Sequence, residues 1–269
     1  MALKAYRTEI TWENLNNDFY KKFTKYLTER GLKVNTIGKQ WKNINACIRQ
    51  AELSLIVKVG VIPKFKVIQE KVDNIFLTEA ELKQWEDLDL AHCKRLENVR
   101  DLFLVACFTG ARYSDLHKYT PEAITTLQNG DVFHVKQQKT QQFVAVAVHP
   151  IVKEIHKKHG GLPKVLSDQK MNQYLKEIAY MIPSLRESFT KTCTQGGKNI
   201  VIEKPKYELV CTHTARRSFA TNMLRRNIPV YLIKDATGHK TEADFWKYVK
   251  MENHDKGQQM LAYFEKIYG

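Results

Sequence analysis

The chain has 269 residues, 43% hydrophobic and 10% aromatic, enough to bury a core in one large domain or two ordinary ones and too apolar for global disorder. Lys and Arg number 43 against 29 Asp and Glu, a formal charge of +14, so the expected partner is polyanionic: nucleic acid first, anionic membrane second. No apolar run approaches the ~18 residues of a spanning helix, and charges interrupt "MALKAYRTEI" before a signal-peptide core forms.

The first part reads as helical. "TWENLNNDFYKKFTKYLTERG" sets Leu15, Phe19, Phe23, Tyr26 and Leu27 at helical spacing and stops at Gly31. "TIGKQWKNINACIRQAEL" repeats the pattern with Ile37, Trp41, Ile44, Ile48 and Leu53; Thr36 is its expected cap, and Lys39, Lys42 and Arg49 leave it a basic side. Periodicity fades after Leu53, and Pro63 with its neighbouring lysines reads as a linker. The expected division is a helical domain over 1–62, a basic linker over 63–74 and a second domain over 75–269.

The second domain opens with a capping-box pattern, Thr78 and Glu81, followed by the apolar helix "RDLFLVACFTG" ending at Gly110. Asn129-Gly130 between alternating runs predicts a hairpin, and "FVAVAV" predicts a third strand after a reversal near Lys139-Thr140. Helices resume after Pro150, "CTQGGKNIVIEKPKYELV" reads as a loop or weak hairpin, and everything after Thr212 reads as helical. The fold class is therefore mainly α with a small antiparallel sheet, a helical front domain and an α+β second domain. Cys47, Cys93, Cys107, Cys193 and Cys211 lie far apart, odd in number and without a C-x-x-C pair; they read as buried, reduced thiols rather than disulfides or a zinc site.

Four short stretches stand out. "FTGARYSDL" sets Arg112 in a turn between a helix closed by Gly110 and a second helix expected to be capped by Ser114. "CTHTARRSFATNML" places His213 and Arg216 on one face, three residues apart, in a helix with Thr212 as its expected cap. In "PVYLIKDATGHK" a helix closed by Gly238 is followed at once by His239, and Tyr248 comes nine residues after that. Each stretch alone is also what a solvated basic helix, a C-capping histidine or a packed tyrosine would offer.

Their order is what identifies them. "TGAR-SDL", "KT" at a hairpin turn, "HTARRSFAT", then "GH" with its tyrosine, resembles the tyrosine recombinases of the bacteriophage integrase family along nearly the whole chain. "NTIGKQWKNINACI" resembles that family's core-site DNA-binding domain. The resemblance implies that Arg112, Lys139, His213, Arg216, His239 and Tyr248 take the family's catalytic places. It implies cleavage of one DNA strand by the tyrosine, leaving a 3′-phosphotyrosyl link and a free 5′-hydroxyl, and joining by the reverse step. No cofactor or metal is expected.

Those residue types suit that chemistry. Two guanidiniums engage phosphate oxygens bidentately and stay charged, doing what metal ions do in other phosphoryl transfers. A phenol of pKa ~10 costs roughly 4 kcal/mol to ionise at pH 7. By analogy with the family His213 is the base, although its place equally suits a phosphate ligand; His239 supplies a hydrogen bond to phosphate. Lys139 at a mobile tip is the expected general acid, with Lys136 as its rival.

Lys39, Lys42, Arg49, Lys64 and Lys66 are candidate DNA contacts, together with Lys71 and with Trp41 unless it is core. Double-stranded DNA is the expected partner, with self-association into a tetrameric synapse and accessory DNA-bending or excision proteins, in a cytoplasmic, nucleoid-associated setting. Met260, Leu261, Phe264 and Ile267 at helical spacing form a tail that packs either on its own domain or on a neighbouring protomer. The competing readings are a type IB topoisomerase and a non-catalytic helix–turn–helix DNA-binding protein.

Overall fold

The structure is a computed structural model and describes residues 2–6, 9–251 and 253–268. The chain divides into two compact units, Met1–Asp73 with Thr190–Glu203, and Asn74–Phe189 with Lys204–Gly269.

The first unit is built on helices α1 (Ala2–Tyr6), α2 (Asn17–Glu29) and α3 (Val34–Leu53). Asn16 caps α2, its side chain accepting from Phe19 N at 3.0 Å, and Asp18 complements the dipole in the first turn. Phe19, Phe23 and Leu27 form the buried stripe of α2. Against it lies Trp41, fully buried, its ring 5.5 Å from Phe23 and 4.9 Å from Phe65, with the indole N–H donating to Thr24 Oγ1 at 3.0 Å. Trp41 is core and not a DNA contact.

The start of α3 differs from the expected Thr36 cap. The helix begins at Val34 after an extended Lys33 that has no side-chain cap bond. Lys33 instead pairs with Gln195 in an isolated antiparallel bridge, so strand pairing rather than a hydroxyl sets the helix start.

Residues 64–71 form no helix or strand, yet α3 holds them closely. Asn45 brackets the backbone of Phe65, Nδ2 donating to its O at 2.8 Å and Oδ1 accepting from its N at 3.0 Å; Asn35 does the same to Glu70, both at 3.0 Å. Between these clamps a Cβ on Gly38 would lie 2.0 Å from Ile68 O, so only glycine admits the segment here. Lys39, Lys42 and Arg49 are exposed and lie within about 80° of the circumference of α3 at 100° per residue. Lys64 and Lys66 are exposed too, and none of these five forms an ion pair among the described residues.

The second unit surrounds α5 (Lys94–Thr109), which packs against α4 (Glu79–Asp87), α6 (Pro150–His159), α7 (Asp168–Met181) and α8 (Thr212–Arg225). The Thr78–Glu81 capping box forms as expected, with bonds of 3.2 and 2.7 Å. Strands β1 (Ile124–Leu127), β2 (Gly130–Lys136) and β3 (Phe143–Ala147) make an antiparallel sheet in that order, with Leu127 opposite Gly130 and Lys136 opposite Phe143. Phe133, Val135, Val144 and Val146 face the core. β4 (Ser188–Gln195) and β5 (Lys198–Pro205), whose Thr190–Glu203 portion belongs to the first unit, form a full hairpin turning on Gly196 and Gly197, both at positive φ, where the sequence suggested a loop or weak hairpin. Helices α9 (Val230–Thr237), α10 (Glu242–Trp246) and α11 (Asn253–Tyr268) complete the chain. The fold is mainly α with small antiparallel sheets. All five cysteines are free; Cys107 and Cys193 are buried, whereas Cys47 is exposed, contrary to expectation. Among the described residues no helix is long and apolar enough to cross a membrane.

One buried ionic group joins α5 to α6. Asp101, 2% exposed, accepts from Arg100 Nε at 2.8 Å, Lys158 Nζ at 2.7 Å and His159 Nε2 at 2.7 Å, and Lys158 also meets Glu97 at 2.7 Å. Burial alone would raise the Asp101 pKa, but His159, Lys158 and Arg100 outweigh it and hold the carboxyl below its ordinary value; Lys158 and Lys94 do the same for Glu97. A carboxylate with a depressed folded pKa stabilises above its unfolded value, near pH 4, and that stability is lost as pH falls through the folded value. Asp101→Asn should therefore cost about 2–3 kcal/mol at neutral pH and flatten the acid side of the stability curve. Thermal melts from pH 3 to 7 check this; equal Tm values for variant and wild type would refute it.

Candidate active site

Arg112 follows Gly110, the left-handed residue (φ 66°) that ends α5; a Cβ on Gly110 would sit 2.5 Å from Phe219 Cδ1. The expected helix capped by Ser114 is a 3-10 turn, Tyr113–Lys118, and Arg112 itself occupies its N-cap position. From there the Arg112 guanidinium donates to Gln137 Oε1 through Nη1 and to Gly238 O through Nη2 at 3.2 Å.

Arg216 lies on α8. The N-cap of this helix is Cys211, not Thr212, which sits one residue inside and is tied to α7 through Asn172 Oδ1 (2.9 Å) and Asp168 Oδ1 (3.0 Å). Arg216 is 1% exposed, which rules out the solvated-helix reading. Nη1 donates to Gly110 O at 2.8 Å, Nη2 to Thr237 O and to His239 Nε2 (3.1 Å), and Nε has no partner among the described residues. Burial, then the Arg112 charge, pushes its pKa down to about 9, so it stays charged at neutral pH. Arg217 is not a free DNA contact: its Nε donates to Ile75 O at 2.7 Å and its Nη2 to Thr214 Oγ1 at 3.0 Å.

His239 follows Gly238, the left-handed end of α9 (φ 62°). It is buried, with Nδ1 2.8 Å from Thr237 Oγ1. The Thr237 hydroxyl also reaches Ile233 O at 2.7 Å and Lys234 O at 3.1 Å; when it donates to either carbonyl, Nδ1 of His239 donates to the hydroxyl and Nε2 accepts from Arg216. Donating from Nε2 to a ligand requires that hydroxyl to turn toward Nδ1. Burial, then Arg216 and Arg112, pushes the His239 pKa down to about 3 and keeps the ring neutral. Tyr248 lies just after α10, half-buried, its ring 4.9 Å from the His239 ring and 5.5 Å from Arg216 Cζ. Its hydroxyl makes no hydrogen bond among the described residues.

The structure thus gathers Arg112, Arg216, His239 and Tyr248 into one cluster. The side chains of His213 and Lys139 are exposed and make no hydrogen bond among the described residues. Partial burial, then Arg217, lowers the His213 pKa against the pull of Asp168, with Arg216 and Lys139 adding to the depression. Lys139 sits in the β2–β3 turn, whereas Lys136 is on β2 with its Nζ 5.6 Å from the Phe143 ring centroid.

Sequence reasoning missed Gln137, which is 1% exposed and bonded to Arg112. A signal existed, since the inward alternation Phe133, Val135 continues to 137. Both arginines are held by neutral acceptors alone. The nearby buried carboxylate, Asp115, accepts at Oδ1 from Gln138 N (2.7 Å) and Lys118 Nζ (3.2 Å), while its Oδ2 has no hydrogen-bond partner among the described residues and its charge acts on Arg216 without a direct bond. Among the described residues no group of His, Cys, Asp and Glu could hold a metal ion.

A family model for the phage integrase SAM-like domain matches residues 1–67. No curated protein matches the chain in sequence. Solved structures do match in shape. XerH site-specific recombinase bound to palindromic difH substrate, a post-cleavage complex, superimposes with TM-score 0.65 at 16% identity, over 96% of this chain and 73% of that one. The Tn1549 transposon integrase in complex with a circular intermediate DNA gives 0.64 at 12% identity, over 94% and 86%. A lambda integrase dimer bound to a COC′ core site gives 0.63 at 15% identity, over 94% and 86%. The chain has the fold of the tyrosine recombinases, with a phage integrase SAM-like domain at its front.

Proposed function

We propose that the chain is a site-specific DNA recombinase that cleaves and rejoins strands through a 3′-phosphotyrosyl intermediate. The observation that carries this is the pair of arginines, held only by neutral acceptors beside the Tyr248 ring. Two desolvated cations with no carboxylate hydrogen-bonded to either leave their charge available to an anion.

In the forward step the Tyr248 oxygen forms a bond to phosphorus as the bond to the 5′-oxygen breaks. The phenolic proton goes to His213, whose lowered pKa keeps it neutral at pH 7. Lys139 protonates the departing 5′-oxygen, while Arg112 and Arg216 stabilise the equatorial charge and His239 adds a hydrogen bond. The reverse step, with the 5′-hydroxyl of another strand, regenerates the diester, so its bond energy is conserved and neither ATP nor a metal is required.

Double-stranded DNA is the proposed partner, supported by the DNA present in the similar structures and by the unpaired Lys39, Lys42, Arg49, Lys64 and Lys66. Met260, Leu261, Phe264 and Ile267 of α11 are all at least half exposed, which favours docking on a second copy, as a DNA-bound assembly would need.

Nicked suicide duplexes bearing its recombination site should trap a covalent adduct, and two-site plasmids should yield exchanged products. Relaxation without exchange would favour a topoisomerase, and no adduct at all a binding protein. The cleavage rate should fall on acidification as His213 gains its proton, with the limb displaced to the acid side of the ordinary imidazole value of about 6.5. His213→Ala should be about 10²–10³-fold slower and lose that acid limb; an unchanged pH profile would remove His213 as the base.

A further inference from the structure

Gln137 touches no substrate in this scheme, yet both polar atoms of its buried side chain are engaged. Oε1 accepts from Arg112 Nη1 and from Thr140 Oγ1 at 2.9 Å, and Nε2 donates to Thr237 O at 3.0 Å. Thr237 O is also the acceptor for Arg216 Nη2. The Gln137 backbone closes the turn that carries Lys139, its N–H donating to Gln142 O at 2.9 Å and its O accepting from Gln141 N at 3.0 Å. One amide therefore links both arginines to the lysine turn.

We propose that Gln137 is a positioning residue that holds Arg112 and the Lys139 turn in one hydrogen-bonded frame with Arg216, so that clamp and general acid reach the same phosphate. This rests on the strand-transfer reading above.

The residue type follows from the bonding. Asparagine is a methylene too short to reach the same partners. A glutamate would pair with Arg112 and cancel charge meant for phosphate, and it would set a carboxylate oxygen against Thr237 O. Room for the amide depends on Gly238, where a Cβ would fall 2.3 Å from Gln137 Oε1.

The test uses suicide substrates with either oxygen or sulfur at the scissile 5′ position, because a thiolate leaves without a proton donor. Lys139→Ala should lose about 10²–10³-fold on oxygen and recover on sulfur, whereas Arg112→Lys should lose on both. Gln137→Met, of similar length and without polar atoms, should be about 10²-fold slower on oxygen and regain about tenfold on sulfur, because only the lysine part of the defect is bypassed. Thr140→Val, which cuts only the link to the turn, should be about tenfold slower on oxygen and near wild type on sulfur.

Cleavage by Gln137→Met within threefold of wild type overturns the proposal, as does an equal loss on both substrates. Loss of DNA binding and Tm in step with activity would make Gln137 a packing residue only. A wild type that forms no adduct on either substrate sinks the strand-transfer reading instead.

Discussion

Tyr248→Phe should abolish covalent attachment to DNA, by at least about 10⁴-fold, while DNA affinity stays close to wild type. The substitution removes one oxygen and keeps the ring, so the stacking beside His239 and the face presented to Arg216 survive. The hydroxyl it deletes holds nothing else in place, so no loss of folding is expected. Tyr119 cannot substitute: it is fully buried, and burial pushes its pKa up to about 12. Denaturing gels of suicide-substrate reactions give the readout, with gel-shift affinities alongside. An adduct of undiminished yield from the Phe variant would show a different nucleophile and end the assignment.

Arg216→Lys should be nearly as damaging, with cleavage reduced about 10³–10⁵-fold. The guanidinium reaches Gly110 O with one nitrogen and Thr237 O and His239 with the other, and so ties the end of α5 to the end of α9. An ammonium on a flexible stem cannot hold those acceptors in the same plane. Burial beside Arg112 would also drive a lysine toward its neutral form, removing the charge as well as the fork. Single-turnover rates and a melting curve separate the two contributions. A variant that keeps its Tm and cleaves within tenfold of wild type would show that the Arg216 guanidinium is not required for cleavage.

Patterns along the chain made much of this visible beforehand. Thr78 and Glu81 form their box, the Asn129-Gly130 hairpin forms, and Gly110 and Gly238 end their helices left-handed, because each is decided within a few residues. The order of the motifs told which polar residues to look for, and four of the six lie together.

What stayed hidden is non-local. Thr36 is a good cap, but a bridge from Lys33 to Gln195 starts α3 earlier. Thr212 looked like a cap while its hydroxyl was committed to Asp168 on another helix. Residues 64–71 read as a connector because their partners, Asn35, Gly38 and Asn45, lie back along α3. Gln137 looked like one more polar residue at a turn. Only the two arginine-bearing elements around it reveal its use.

The β4–β5 hairpin bears on how the chain folds during synthesis. Gly196 N donates to Leu32 O at 3.2 Å and Thr194 N to the Glu70 carboxylate, so the helical unit is completed by Thr190–Glu203, strands that follow the whole of Asn74–Phe189. A ribosome releasing the chain from its N-terminus offers α2 and α3 early but withholds their last partner until most of the second unit has emerged. The first unit therefore gains its last hydrogen-bonded partner only after most of the second unit has been made, and a fragment ending at Asp73 would lack a piece of its own structure.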